Sequence, residues 1–354
     1  MARDTRSHSV WFSGPREVEV RTEVLSGPGA GEVLVEAVAS LISAGTELVV
    51  YRGDCTSPEE YGLDRPGRAG RFPFPVRFGY QVVGRVVEAG RDAAFAPGQL
   101  VFARHPHQSL FTLPATAPPV WAYPVPAGVG VEEAAFANLF GVALNALLDV
   151  PVRVGDRVVV SGLGVIGLLL ARLCRLTAAT LILVEPRAWR REVATRIGAD
   201  AVVPPAEAGA AIDALTEGRG ADVYFEASGA PPALQAAIAG TGQDGTVVVV
   251  SNYGGRRVEL ALAPEFHYRR LRVVSTLAGV VNPALSPRWD RARRAAVAME
   301  WLARDGVGWL VSHRLPLREA ATAYRLLDSG AEGVLGVLLT YDRPDTRPEG
   351  TDHA

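Results

Sequence analysis

Val158-Val-Val-Ser-Gly-Leu-Gly-Val-Ile-Gly167, with an acid following at Glu185, decides how this chain folds. The run Val158 to Val160 reads as a buried parallel strand, and Leu168 to Leu176 continues as an apolar helix. Between them Gly162, Gly164 and Gly167 stand at the G-x-G-x-x-G spacing, with Val165 and Ile166 opening the helix. Gly162 allows a tight strand-to-helix turn, and Gly164 removes a side chain where a pyrophosphate approaches the backbone. Gly167 lets helix and strand pack closely, while the helix N-terminus offers N–H donors and a positive dipole end. A second apolar run, Thr180 to Val184, ends in Glu185, about twenty residues on, where an acid accepts from ribose hydroxyls. Strand, glycines, helix, strand and acid in register predict a dinucleotide site.

Length and charge fit a two-domain or single large-domain enzyme. The chain has 354 residues and a formal net charge of -2, with acids and bases interspersed. Nothing in that balance points to nucleic acid or an anionic membrane surface as a partner, which leaves a small-molecule substrate. No apolar run reaches membrane-span length, and MARDTRSHSV lacks a signal-peptide apolar region. Cys55 and Cys174 are the only cysteines, which argues against a disulfide framework and for a cytoplasmic location.

Outward from the glycine stretch the chain changes character. Residues 10 to about 130 read as short strands broken by Gly and Pro, at 17–24, 32–40, 81–88 and 100–103, an all-β, barrel-like segment. From Val131 helical patterns appear, at 131–135 and 140–148. Strands near 157–162, 180–185, 200–203, 222–227, 245–251 and 271–276 then alternate with helix-length segments, which implies an α/β class with a doubly wound parallel sheet. Ser286-Pro287 reads as a helix start for a segment running to Ala303. Leu317 to Leu327 reads as a further helix, Val334 to Tyr341 as a last strand, and Asp342 to Ala354 as a polar, disordered tail.

This layout resembles the medium-chain dehydrogenase/reductase superfamily over residues 10 to 341. The motifs that carry the likeness are Gly31-Glu-Val-Leu-Val-Glu36, Ser43-Ala-Gly-Thr-Glu47, Phe78-Gly-Tyr-Gln-Val-Val-Gly84, Gly155-Asp-Arg-Val-Val-Val160 and the glycine stretch. In detail they are similar to the bacteriochlorophyllide a dehydrogenase branch. The resemblance implies a GroES-like β-barrel-type catalytic domain begun by 1–136 and completed by 286–341. It also implies a Rossmann domain over 137–285 and leaves 342–354 as a tail. Alcohol-oxidising members hold a catalytic zinc, but here the ligand positions fall on Ala44, Tyr80-Gln81 and Asn138, none of which suits zinc. The four-cysteine structural zinc lobe is replaced by Arg68 to Pro75. The expectation is no metal, with hydrogen-bond donors stabilising a developing alkoxide instead.

The catalytic candidates are therefore Tyr80, Thr46 and His107. Tyr80 replaces the metal-binding His and points at the same cleft, unless it is one more core aromatic after Phe72, Phe74 and Phe78. Thr46 stands where the superfamily keeps a proton-relay hydroxyl, or it caps the Gly45 turn. In Arg104-His-Pro-His-Gln108, either His105 or His107 suits acid–base work, with His107 at the substrate or on plain surface; Pro106 argues against a metal pair. Gln81, Asn138 and Asn145 are candidate substrate contacts, the two asparagines seven apart on one helix face. Ser251-Asn-Tyr253 follows the fifth strand of the parallel sheet, where Ser251 and Asn252 suit a nicotinamide or ribose. Arg187, Arg190 and Arg191 follow where an NADP site keeps bases for a 2′-phosphate, yet Glu185 repels one, so NAD is expected over NADP. Arg187 then covers the adenine, while Arg190 and Arg191 are otherwise plain helix-surface residues. His267-Tyr-Arg-Arg270 meets an anionic substrate or covers a sheet end.

Together these readings predict a zinc-independent, NAD(P)-dependent oxidoreductase acting on a secondary alcohol or ketone of a sugar, cyclitol or biosynthetic intermediate. One rival is an enoyl or quinone C=C reductase, and another is a cofactor-binding protein without chemistry. Relatives suggest a homodimer or homotetramer.

Overall fold

The computed structural model describes residues 5–341 apart from 56, 58, 60, 61, 63, 64 and 117–120. The N-terminal part runs β1 (Arg6–Gly14), β2 (Glu17–Val24), β3 (Glu32–Leu41), α1 (Thr46–Arg52), β4 (Ala69–Gly70) and β5 (Val76–Arg77). It continues with β6 (Val82–Ala89), β7 (Leu100–Ala103), β8 (Leu110–Pro114), β9 (Ala122–Pro124), α2 (Val131–Ala135) and α3 (Ala137–Asp149). The central part holds β10 (Arg157–Ser161), α4 (Val165–Cys174), β11 (Thr180–Val184), α5 (Ala188–Ala194), β12 (Ala201–Val203) and α6 (Pro205–Thr216). After it come β13 (Ala221–Glu226), α7 (Pro231–Gly240), β14 (Thr241–Val249), α8 (Glu265–Tyr268), β15 (Arg272–Ser275) and α9 (Arg291–Asp305). The chain closes through β16 (Val311–Pro316), α10 (Ala320–Ser329) and β17 (Gly336–Thr340).

The six central strands form one sheet in the order β12-β11-β10-β13-β14-β15, parallel throughout. That is the doubly wound order, whose reversal between β10 and β13 opens a crevice at the carboxyl ends. β10 and β11 are buried along nearly their whole length because helices cover both faces, which is why they read as unbroken Val/Ile/Leu runs rather than alternating ones. The last strand, β15, is an edge. Val273 on it and Leu277 and Val280 just beyond are exposed.

The remaining strands make a seven-stranded sheet, β16-β17-β3-β6-β7-β9 with β8 also paired to β3, and a four-stranded sheet, β2-β1-β5-β4. The late strand β17 pairs antiparallel with β3, Leu338 opposite Leu41, so the chain's end returns to the sheet its beginning built. Among the described residues no helix is long and apolar enough to cross a membrane.

Two elements, β1 and α1, lie where the sequence reading named none, and one helix starts elsewhere than expected. β1 shows no outward hydrophobic alternation because Ser7 and Ser9 point inward, Ser7 Oγ donating to Leu110 O. α1, with Leu48, Val49, Val50 and Tyr51, has strand-like composition, yet it is a helix that Gly53 ends in the left-handed region (φ 79°). The helix expected from Ser286-Pro287 begins later. Asn282 caps a single 3₁₀ turn at 283–285, and α9 starts only after Asp290, whose side chain accepts from the Arg293 N–H. The proposed tail, 342–354, lies outside the described residues.

The glycine turn shows why its residues are glycines. Gly162 has φ 87°, and a Cβ on Gly167 would lie 1.8 Å from the Gly162 carbonyl oxygen, whereas one on Gly164 would meet nothing within 4 Å. Gly167→Ala should therefore destabilise the protein by about 1–3 kcal/mol through overpacking. Gly164→Ala, with φ −73° and open space, should leave stability nearly unchanged. Urea unfolding of the two variants checks this; equal stabilities would show that helix and turn are not in close contact.

Candidate functional site

One side of the candidate site is organised by a carboxylate that no water reaches. Glu47, the second residue of α1, is 0% exposed. Its Oε1 accepts from the Ser43 N–H (2.9 Å), which folds the Ser43-Ala44-Gly45 turn back onto the helix start. Its Oε2 accepts from Tyr324 Oη (2.5 Å) on α10 and pairs with His107 Nε2 (2.9 Å). The other ring nitrogen, His107 Nδ1, meets Ser40 Oγ (2.7 Å), which in turn meets Tyr341 Oη (2.8 Å). The tautomer with hydrogen on Nε2 satisfies both contacts. Burial and the Glu47 charge hold the Tyr324 phenol far above the usual tyrosine range, so it stays a donor.

Against this frame sits Tyr80. Its hydroxyl donates to Ser43 Oγ at 2.5 Å and lies within hydrogen-bonding reach of the Thr46 side chain. Burial first, then the Glu47 charge, raises the phenol's pKa, so it is protonated at neutral pH. Thr46 makes no cap: Gly45 is the N-cap of α1 and no side chain bonds there. Arg68 lies with its guanidinium 3.4 Å over the Phe78 ring, its Nη1 buried and unpartnered among the described residues. Burial lowers its pKa to about 9, and nearby Glu47 opposes that.

The facing side belongs to the parallel sheet. α4 starts at Gly164 with no side-chain cap, leaving its first N–H groups and the open space beside Gly164 to an incoming anion. Val165 and Ile166 form the first turn, partly exposed. Glu185 is buried at the end of β11, accepting from the Leu163 N–H (2.8 Å) and the Arg187 N–H (3.1 Å). Arg187 is exposed and its Nη2 reaches Gly330, beyond α10. Arg190 lies against Trp189, with Nε buried and unpartnered among the described residues, and Arg191 donates to the Glu185 and Pro186 carbonyls.

At the end of β13 a second fully buried carboxylate, Glu226, was not singled out from the sequence. It accepts from the Ser228 and Gly229 N–H groups and from the hydroxyls of Ser228, Ser251 and Tyr253. Ser251 therefore points back to Glu226, while Asn252 is exposed and turns onto the Gly254 N–H (2.8 Å). A Cβ on Gly254 would lie 3.4 Å from Val49, so this loop touches α1 and brings the sheet's carboxyl ends to the Tyr80 side. An acid two residues before a Ser-Gly pair at a strand end was the available signal; its meaning depended on the Ser251–Tyr253 loop arriving from another strand.

Several expected contacts are not at the cleft surface. His107 is 0% exposed with both nitrogens engaged, so it touches no substrate; its place is beneath Glu47, not in front of it. Gln81 is likewise buried, donating to Leu41 O (3.1 Å), with Oε1 unpartnered among the described residues. Asn145 is buried on α3 and tied to Asp149, Thr276 and Arg294. Asn138, two turns earlier on the same face of that helix, lines a pocket with Arg104, Arg291 and Arg294. His267 is exposed on α8, and Arg269 beside it donates to the Ala239 and Thr241 carbonyls at the sheet's opposite end, away from the crevice.

Whether a zinc ion fits can be judged from the donors. Ala44 has none, Tyr80 keeps its proton, and Asn138 offers a neutral amide. Among the described residues no three His, Cys, Asp or Glu side chains gather as a metal site. This donor set does not fit zinc. A dinucleotide, by contrast, fits the open glycine turn and the uncapped start of α4.

Comparison with known proteins agrees with the fold. The zinc-binding dehydrogenase family pattern matches residues 165–295. D-guloside 3-dehydrogenase of Shigella flexneri is 31% identical over 294 residues, covering 77% of this chain and 81% of that one. 2-Desacetyl-2-hydroxyethyl bacteriochlorophyllide A dehydrogenase of Rhodobacter capsulatus is 29% identical, covering 89% and 92%. A crystal structure of a zinc-binding dehydrogenase from Sinorhizobium meliloti bound to NADP superposes with a TM-score of 0.76 at 24% identity, over 95% and 99% of the two chains.

His105 makes the site's interior measurable without a ligand. It is buried, stacked 3.9 Å from the Phe111 ring centroid, and burial lowers its pKa from 6.5 to about 3. Between those values the unfolded chain binds a proton that the native state does not, so stability should fall as pH drops from 6.5 towards 3. His105→Gln should flatten that part of the stability–pH curve, read by urea unfolding at stepped pH. An unchanged slope would show that the ring is accessible and titrates normally.

Proposed function

The chain belongs to the zinc-binding dehydrogenase family, medium-chain oxidoreductases, and on that premise we propose that it oxidises a secondary alcohol, or reduces the matching ketone, without zinc. The observation that carries the reading is the protonated Tyr80 phenol, held by the Ser43 and Thr46 hydroxyls. A nicotinamide, when bound, supplies or accepts the hydride. Tyr80 then does what a Lewis acid does elsewhere, donating a hydrogen bond to oxygen as negative charge develops on it. In reduction the phenol hydrogen turns from Ser43 Oγ to the substrate oxygen and transfers. Ser43 and Thr46 hydroxyls are placed to return a proton to the phenolate; in oxidation the same path runs backwards.

NAD is the favoured cofactor in this reading because the Glu185 carboxylate sits at the end of β11, where it suits ribose hydroxyls and disfavours a 2′-phosphate. The Shigella relative's name specifies a sugar derivative oxidised at one hydroxyl. That likeness supports a polyhydroxylated small-molecule substrate here.

Two measurements test the proposal. Tyr80→Phe keeps shape and removes one donor, so turnover should fall by roughly 10²-fold or more. NAD affinity should barely move. Turnover unchanged with NAD or NADP would overturn the role of Tyr80, and enone reduction without alcohol oxidation would shift the reaction to C=C reduction. Elemental analysis should find far less than one zinc per chain, and a chelator should leave activity intact. Stoichiometric zinc that the chelator removes together with activity would end the zinc-free reading.

A further inference from the structure

A pocket between the end of β7, α3 and α9 is lined by three arginines and no acid. Arg104 follows β7, and Arg291 and Arg294 occupy the first turn of α9; Asn138, Tyr123 and Phe102 complete this wall. These guanidiniums are fixed in place by neutral partners. Arg294 donates to Asn145 Oδ1 and the Ala278 carbonyl, and Arg291 to the Gly279 carbonyl. Arg104 lies 5.6 Å from the Trp121 ring centroid, and its Nε is buried with no hydrogen-bond partner among the described residues.

The nearby carboxylates are committed elsewhere. Asp290 caps α9 through the Arg293 N–H. Asp149 accepts from Asn145 Nδ2 and Thr276 Oγ1, behind the cluster, and offsets Arg294 least of the charges that act on it. Burial and mutual repulsion both work against charge here: Arg104 is depressed by burial and by Arg65 and Arg291, Arg294 by burial and by Arg104 and Arg291. Guanidiniums nonetheless stay charged at neutral pH. Tyr80 is within electrostatic reach of Arg104.

We propose that this arginine wall is an oxyanion subsite, and that the substrate is a secondary alcohol bearing a carboxylate or phosphate. The inference rests on the reaction reading above only for the alcohol it assigns to the substrate. A planar guanidinium matches a carboxylate or phosphate oxygen pair, and an arriving anion relieves the repulsion among the three cations. A neutral sugar would leave that repulsion in place.

The test is calorimetric titration of glycerate, glycerol 3-phosphate and glycerol into wild type, Arg104→Gln and Arg291→Gln, with and without NADH. At least one anion should bind wild type, and each variant should weaken it about tenfold or more, the scale of a charge-assisted hydrogen bond. Glycerol should show no dependence on either arginine, and NADH affinity should stay the same in all three proteins, which reports intact folding. The anion that binds, carboxylate or phosphate, identifies the group. Neither anion binding wild type, or equal binding in both variants, overturns the subsite. Arginine-dependent anion binding with no hydride transfer from NADH to any ketone would keep the subsite and sink the reaction reading instead.

Discussion

The packing around Tyr80 depends on the Glu47 carboxylate being hydrogen-bonded in a place water does not reach. An ionised carboxyl taken out of water is costly unless hydrogen bonds replace its hydration. Here the Ser43 N–H, His107 and Tyr324 do so, and they come from the turn before α1, the loop after β7, and α10. Segments 60 and 277 residues away are thereby locked to one another. The aromatic packing of Phe12, Tyr51 and Tyr324 around the same point fixes Tyr324 in turn.

Glu226 plays the corresponding part in the parallel sheet. Accepting from two backbone N–H groups and three hydroxyls, it ties the ends of β13 and β14 into one rim of the crevice. Each carboxylate thus organises one bank of the cleft. Tyr80 and Thr46 beside Glu47, and the Ser251–Tyr253 loop beside Glu226, are positioned by these buried groups. This division suits an active site, because a buried and fully bonded support holds a reacting group more rigidly than a solvated one.

Electrostatics in one pocket run against the chain as a whole. The protein carries a net charge of -2, yet the pocket between β7, α3 and α9 gathers Arg104, Arg291 and Arg294 without a carboxylate among its lining residues. A local positive field inside a slightly acidic molecule focuses on small anions without making the surface sticky to polyanions.

The sequence by itself determined the parallel sheet and the glycine turn. Those features are local: a strand buried on both faces must be a short apolar run, and a turn admitting no Cβ must be glycine. Gly162 and Gly167 could thus be assigned their packing roles from the sequence alone. What only the tertiary structure decided is which polar side chains face the cleft. His107 and Gln81 look like exposed candidates in a line of letters, but they are buried; Glu47 and Glu226 look like ordinary acids and prove to be the supports. Arg104 and Arg294 stand 190 residues apart and meet only because α9 packs against α3 and the end of β7. Periodicity reports which face of an element is buried. It carries nothing about which distant polar group waits there, since that depends on pairings made between segments far apart in the chain.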